Sequence, residues 1–246
     1  MKTYRADLHI HSVLSPCGDL DMSPVNIVEE ASRKGLDIIG ITDHNTTRHT
    51  GLVKRLAEKK GIYVLTGAEI NTREEVHCLV FFENSETITL LQEYLDHNLP
   101  EILNLPEIFG HQVEVDENEN IIYEEKRLLS SAIRKSITDL EKFVHLNNGL
   151  FIPSHIDRFK NSIYSQLGIL PDNLNADALE VSRATTIGKF GEMHPEIRKY
   201  SLIRSSDAHQ PCDIGKATTS FLIEKPDFRE IKMALAGEEG RRIFTE

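Results

Sequence analysis

The chain has 246 residues, 39% hydrophobic and 27% charged, which suits a single domain with a well-buried core. A formal net charge of −11 argues against a broad basic face that wraps nucleic acid, although metal ions can reverse the local sign inside a pocket. Three cysteines make no disulfide framework, and no apolar run approaches the ~20 residues of a membrane span, so no membrane association is expected.

Tyr4 to His11 reads as a strand, and Ser23-Pro24 as an N-cap with proline at the first helical position, leading a helix that Gly35 closes. Leu36 to Ile41 is a nearly continuous apolar run, as in a parallel strand covered on both faces. A polar helix over 51–60 and a strand at Ile62 to Leu65 complete a β-α-β-α-β order, which predicts a parallel sheet closed or partly closed by helices. A strand at His77 to Phe82 follows, then a helix over 86–96. A hairpin-like pair comes next, at Gln112 to Val115 and Ile121 to Tyr123, and then a helix capped by Ser136. Residues 84–145 read as an insertion lying over one end of a barrel. Strands at 150–155, 178–181 and 202–205 follow, then a last strand at 218–223 and a closing helix at 227–236. The N-terminal Met1-Lys2-Thr3-Tyr4-Arg5 shows no apolar signal core, and the odd cysteine count fits a reducing compartment, so a cytoplasmic location is expected.

Histidine–carboxylate clusters recur at the carboxyl ends of these strands. They are Asp7-Leu8-His9-Ile10-His11, Thr42-Asp43-His44-Asn45, Glu69 with His77, His155, and Ser206-Asp207-Ala208-His209. A His-x-His pair on an extended segment points both imidazoles to one face, which suits capture of zinc, manganese or iron. Five such clusters describe a multi-metal site and metal-assisted hydrolysis. His145, at a plausible helix end, is expected to be structural; His49, His97, His111 and His194 lack a partnered motif and are not expected to be ligands, although His194 could line the pocket. Cys78 should point into the core.

Asp-Leu-His-Ile-His-Ser at 7–12, Thr-Asp-His-Asn at 42–45, Gly-Ala-Glu-Ile at 67–70, Pro-Ser-His-Ile-Asp-Arg at 153–158 and Ser-Ser-Asp-Ala-His at 205–209 resemble the signature of the PHP (polymerase and histidinol phosphatase) family. The resemblance implies a distorted (β/α)7 barrel within the α/β class, a single PHP domain over 1–246, and two to three divalent metal ions (Zn, Mn or Fe). By motif, His9, His11 and Asp207 would hold the first metal, and Glu69 would bridge it to a second held by His77 and His155. His44 and His209 would hold the third. The family places a histidine or aspartate about six residues after the His-x-His pair, where this chain has Cys17. Cys17 is therefore the candidate ligand there, with Asp19 its competitor. Asp7 and Asp43 are expected to orient ligands, and Asp207 and His209 are candidates to move protons. Arg158 and Arg183 are the candidates to bind phosphate, because a planar guanidinium matches phosphate oxygens.

The implied function is a phosphoesterase acting on a small phosphorylated substrate, nucleotide-like or a metabolite. Alternatives are a 5′→3′ exonuclease on short single-stranded nucleic acid, a histidinol-phosphate phosphatase and a non-catalytic metal-binding module. An amidohydrolase would more typically use a barrel lysine where this chain has Glu69.

Overall fold

A computed structural model describes residues 1–245. Strands β1 (Lys2–Ile10), β2 (Ile38–Ile41) and β3 (Tyr63–Asn71) run parallel, with helices α1 (Pro24–Arg33) and α2 (Thr50–Glu58) between them. β4 (His77–Phe82) turns back antiparallel on β3 through residues 72–76, so the sheet is mixed where alternation predicts it parallel. That reversal has a use: it brings His77, the first residue of β4, beside the carboxyl end of β3.

Helices α3 (Ser85–Asn98) and α4 (Pro106–Phe109), the hairpin β5 (Val113–Val115) and β6 (Ile121–Glu124), and helix α5 (Ile137–Leu146) precede β7 (Leu150–Pro153), which pairs antiparallel with β4. Short helices α6 (Ile163–Leu167) and α7 (Ile187–Met193) flank β8 (Leu179–Glu180), and β8 pairs parallel with β9 (Leu202–Ile203). Backbone bonds from Asp177 N to Phe151 O and from Ile156 N to Glu180 O carry β7 to β8. His11 N to Ala208 O and Ala208 N to His9 O bring the segment after β9 back to β1. Seven strands thus curl into a distorted barrel. β10 (Thr219–Ile223) lies antiparallel on the outer half of β1, helix α8 (Phe228–Ala236) follows, and a further short strand, β11 (Arg242–Thr245), pairs with β10 beyond the expected last strand.

An inner core of Leu8, Leu65, Leu79, Phe81, Ile152 and Ile203 fills the barrel and meets Phe228 and Ile231 of α8. Ile10, Ile39 and Ile41 face outward onto Ile27 and Ala31 of α1 and Val53 of α2. The change of face along β1 is a β-bulge: Asp7 pairs with Ile39 and Ile10 with Ile41, three steps against two. Leu8 therefore points inward, and so do His9 and His11. Gly40 makes the bulge fit, since a Cβ there would lie 2.4 Å from the Leu8 carbonyl oxygen.

The 84–145 segment is not all of one kind. Leu91 and Leu95 of α3 and Leu140 and Val144 of α5 join Val80, Phe82 and Phe151 in a second outer core, so its ends belong to the helical shell. Its middle crosses the carboxyl ends of the strands. Asn45 Nδ2 donates to the carbonyls of Leu129 and Ser131, Asn71 Nδ2 to that of Ser130, and Val113 N to that of Val13.

Candidate metal centre

The motif residues meet at the carboxyl end of the barrel. β1 supplies His9, the residue after it is His11, β3 supplies Glu69 and β4 supplies His77. His155 lies two residues past β7, and His44 just past β2. Asn45, His155 and Asp207 adopt left-handed backbone conformations (φ 48°, 31° and 51°), a costly arrangement that redirects the chain at these positions.

Glu69 is the hub. Its Oε1 lies 3.3 Å from His9 Nε2, 3.2 Å from His77 Nδ1 and 3.1 Å from His155 Nε2. Its Oε2 lies 3.4 Å from His11 Nε2 and 3.3 Å from His44 Nδ1. Asp207 Oδ1 faces both His9 Nε2 and His11 Nε2 at 3.3 Å. Ser154 Oγ donates to Glu69 Oε1 at 2.8 Å and fixes the carboxylate.

The imidazole tautomers are set from behind. His9 Nδ1 donates to Glu180 at 3.0 Å, leaving Nε2 as a lone pair. Ser15 Oγ donates to Asp43 Oδ1 at 2.7 Å, so it accepts from His11 Nδ1 at 3.1 Å and leaves that Nε2 a lone pair also. Asp43 further accepts from Ser12 N and Ser12 Oγ. Asp7 acts as a staple, accepting from Ser206 N at 2.9 Å and Gly215 N at 2.8 Å, and so locates Asp207.

His9 Nε2 and His11 Nε2 consequently face each other at 3.1 Å. Burial disfavours charge on both, but the surrounding Asp207, Glu180 and Glu69 carboxylates raise His9 well above its ordinary value, and Asp207 and Glu69 raise His11 to about 9. His44 Nδ1 and His155 Nδ1 are buried without a hydrogen-bond partner. Both observations fit a donor set made for cations. Three groups of residues place ligand atoms within 4.8 Å of one another and could each hold an ion: His9, His11 and Glu69; His44, Glu69 and His77; and His11, Cys17, His44 and His209. Cys17, itself exposed, joins the last group, whereas Asp19 caps a local turn by accepting from Asp21 N.

Charge follows the same logic. Burial penalises ionised Glu69, yet the imidazoles of His77 and His9 hold its carboxyl well below the carboxylate range. Burial likewise opposes charge on Asp207, and His9 and His11 outweigh it. Burial and then His11 push His209 down to about 4, and burial pushes His44 well below its ordinary value. Burial, with the Glu69 and Asp207 carboxylates, pushes the Cys17 thiol up, an effect that a bound cation would reverse.

Arg158 Nη2 lies 2.5 Å from Asp207 Oδ2 and so stands at the mouth of the cluster. Arg183 is instead paired with Asp213 at 3.1 Å. His49, not expected to be a ligand, is buried and bridges Ser12 Oγ to the backbone N–H of Val115. His145 pairs with Asp177, and Cys78 is buried in the core. Glu180 is the residue that sequence reasoning missed; it accepts from His9 and from the backbone N–H of His155 at 2.9 Å. Its signal was a lone carboxylate in an apolar strand.

Residues 7–114 match the PHP domain family. That match takes in the motifs at 7–12, 42–45 and 67–70. The chain is 24% identical over 276 aligned residues to the uncharacterized protein YqxK of Bacillus subtilis, covering 100% of this chain and 65% of that one. A stretch of 78 residues, 30% of this chain and 29% of its counterpart, is 30% identical to the phosphoribosyl 1,2-cyclic phosphate 1,2-diphosphodiesterase of Eggerthella lenta. The fold resembles that of the lesion-specific endonuclease PfuEndoQ of Pyrococcus furiosus (TM-score 0.74, 20% identity), over 98% of this chain and 58% of that one. It matches equally a complex of Endonuclease Q with a 27-mer duplex bearing an abasic lesion at the active site (TM-score 0.75, 20% identity, the same coverage). The chain thus spans about two thirds of YqxK and less of the endonuclease. Among the described residues, no helix is long and apolar enough to cross a membrane.

Proposed function

We propose that this chain is a single PHP domain that hydrolyses a phosphoric ester with two to three divalent cations, and that the substrate is small and nucleotide-like or a phosphorylated metabolite. The observation that carries the reading is the convergence of five imidazoles on the two oxygens of Glu69, with Asp207 completing the ring of donors. Bound there, divalent cations would neutralise phosphoryl oxygens and acidify a water to act as nucleophile near neutral pH. His9, His11, Glu69 and Asp207 would hold one ion, Glu69, His77 and His155 a second, and His44, His209 and Cys17 a third.

The chain's own groups do the rest. Glu180 and the Asp43–Ser15 pair keep the proton on the far nitrogens of His9 and His11. His209 Nδ1 donates to the Asp207 carbonyl at 2.9 Å, which leaves its other nitrogen either to hold the third ion or, with two ions bound, to take or give a proton at the rim. Arg158 is half-exposed beside Asp207 and offers donors to a phosphoryl oxygen. The net charge of −11 and the three free thiols fit a small substrate and a reducing compartment, the cytoplasm. The Eggerthella lenta relative is a cyclic phosphate diphosphodiesterase and the structural neighbour is an endonuclease, so short nucleic acid is the second reading.

The test is ester hydrolysis by manganese-loaded protein over nucleotides, sugar phosphates, histidinol phosphate and short oligonucleotides, beside Asp207→Asn. Turnover of one class, lowered at least about a hundredfold in the variant, is expected. A folded, metal-loaded protein inert on the whole panel would sink the reading.

A further inference from the structure

A cavity of about 660 Å³ opens beside the metal centre, and it has no part in the chemistry described so far. Ile156 and Arg158 belong to its wall, and they connect it to the centre: Ile156 directly follows His155, and Arg158 pairs with Asp207. Phe159, Tyr164, Phe190 and Met193 supply the aromatic and apolar part of the lining, and Asp157 and His194 are among its polar groups. Tyr164 meets Phe190 edge-on at 5.6 Å, and the His194 ring lies against both, at 4.1 and 4.5 Å.

The walls are fastened. Asp157 accepts from Ser182 N at 2.7 Å and Ser182 Oγ at 2.6 Å, tying the loop after β7 to the loop after β8. Arg204 donates to the carbonyl of Thr185, and Ser162 Oγ to that of Arg158. Against this braced background Phe159 is 99% exposed. It packs against nothing that would explain a phenyl ring at the rim. Its neighbour Arg158 is the cation nearest the reacting end.

We propose that this cavity is a nucleobase subsite, in which Phe159 stacks on the base of a nucleotide whose phosphate lies between Arg158 and the metal centre. The size and the apolar lining with few polar groups suit a flat heteroaromatic ring, and an exposed aromatic is the group that such rings stack on without regard to sequence. The base can come from a free nucleotide or from the end of a single strand. The proposal rests on the phosphoesterase reading above and adds what that reading leaves open, the recognised part of the substrate.

The experiment compares p-nitrophenyl phosphate with the p-nitrophenyl ester of thymidine 5′-phosphate and with a short oligothymidylate, using manganese-loaded protein, Phe159→Ala and Phe159→Trp. Wild type should favour the base-bearing esters. Phe159→Ala should lower their kcat/KM roughly tenfold, mainly through KM, with the base-free ester unchanged and Phe159→Trp restoring the loss. The arm most affected, mononucleotide or oligonucleotide, identifies the source of the base. Equal effects on base-bearing and base-free esters, or none on either, would overturn the subsite while leaving the phosphoesterase standing. Wild-type silence on all three esters would remove the foundation itself.

Discussion

At the scale of single residues, the centre is built by giving His9 and His11 a hydrogen-bond partner on the nitrogen that faces away from the cluster. Glu180 and the Asp43–Ser15 pair do this without touching the face where the cations would sit. Cys17 is the residue whose chemistry departs from a nitrogen and oxygen set. Its sulfur lies within ligand distance of His11, His44 and His209, whereas the competing Asp19 is spent on a turn. A thiolate prefers zinc or iron over harder ions. Cys17→Ser should therefore lower bound zinc by up to one ion per chain with the fold intact, and abolish thiolate-to-metal absorption in cobalt-loaded protein. An unchanged zinc count and spectrum would exclude Cys17 from the centre.

At the scale of elements, the bulge in β1 aims the His-x-His pair, and Gly40 on β2 makes room for it. A Cβ on residue 40 meets the Leu8 carbonyl at 2.4 Å, where backbone rather than a flexible side chain must move. Gly40→Ala should cost about 1–3 kcal/mol of stability, as overpacking does, and should weaken metal binding by displacing His9 and His11. Denaturant unfolding and metal content measured together check this; normal values of both would show that the bulge does not depend on Gly40. The glycine inside an apolar strand was visible in sequence, and so were the His-x-His pair, the Ser23-Pro24 cap and the alternation of strand and helix. The antiparallel turn of β4 was not, because an apolar run has no direction. Glu180 was not, because its partner His9 is 171 positions away. The insertion was legible as a break in rhythm, but which parts form shell and which cross the site depends on the packing of Leu91 and Leu140.

At the scale of the whole molecule, the centre joins segments drawn from both ends of the chain. His9 and Asp207 face each other across the barrel closure, and Glu69, His77 and His155 come from its far side. Without cations the same place brings two imidazole nitrogens to 3.1 Å and leaves buried polar atoms without partners, an unfavourable arrangement. An ion that binds this assembled set and not the unfolded chain stabilises the fold by mass action, about 2.7 kcal/mol at a hundred times its Kd. For a chain of this size that corresponds to roughly 5–10 °C in Tm. Chelation should lower Tm by that amount, and manganese or zinc should restore it. Binding displaces protons from the histidines, so the restored increment should grow as pH rises from about 6 to 8. A Tm indifferent to chelation, in protein shown free of metal by elemental analysis, would mean that the barrel closes on its packing alone and that the ions contribute to chemistry without contributing to the fold.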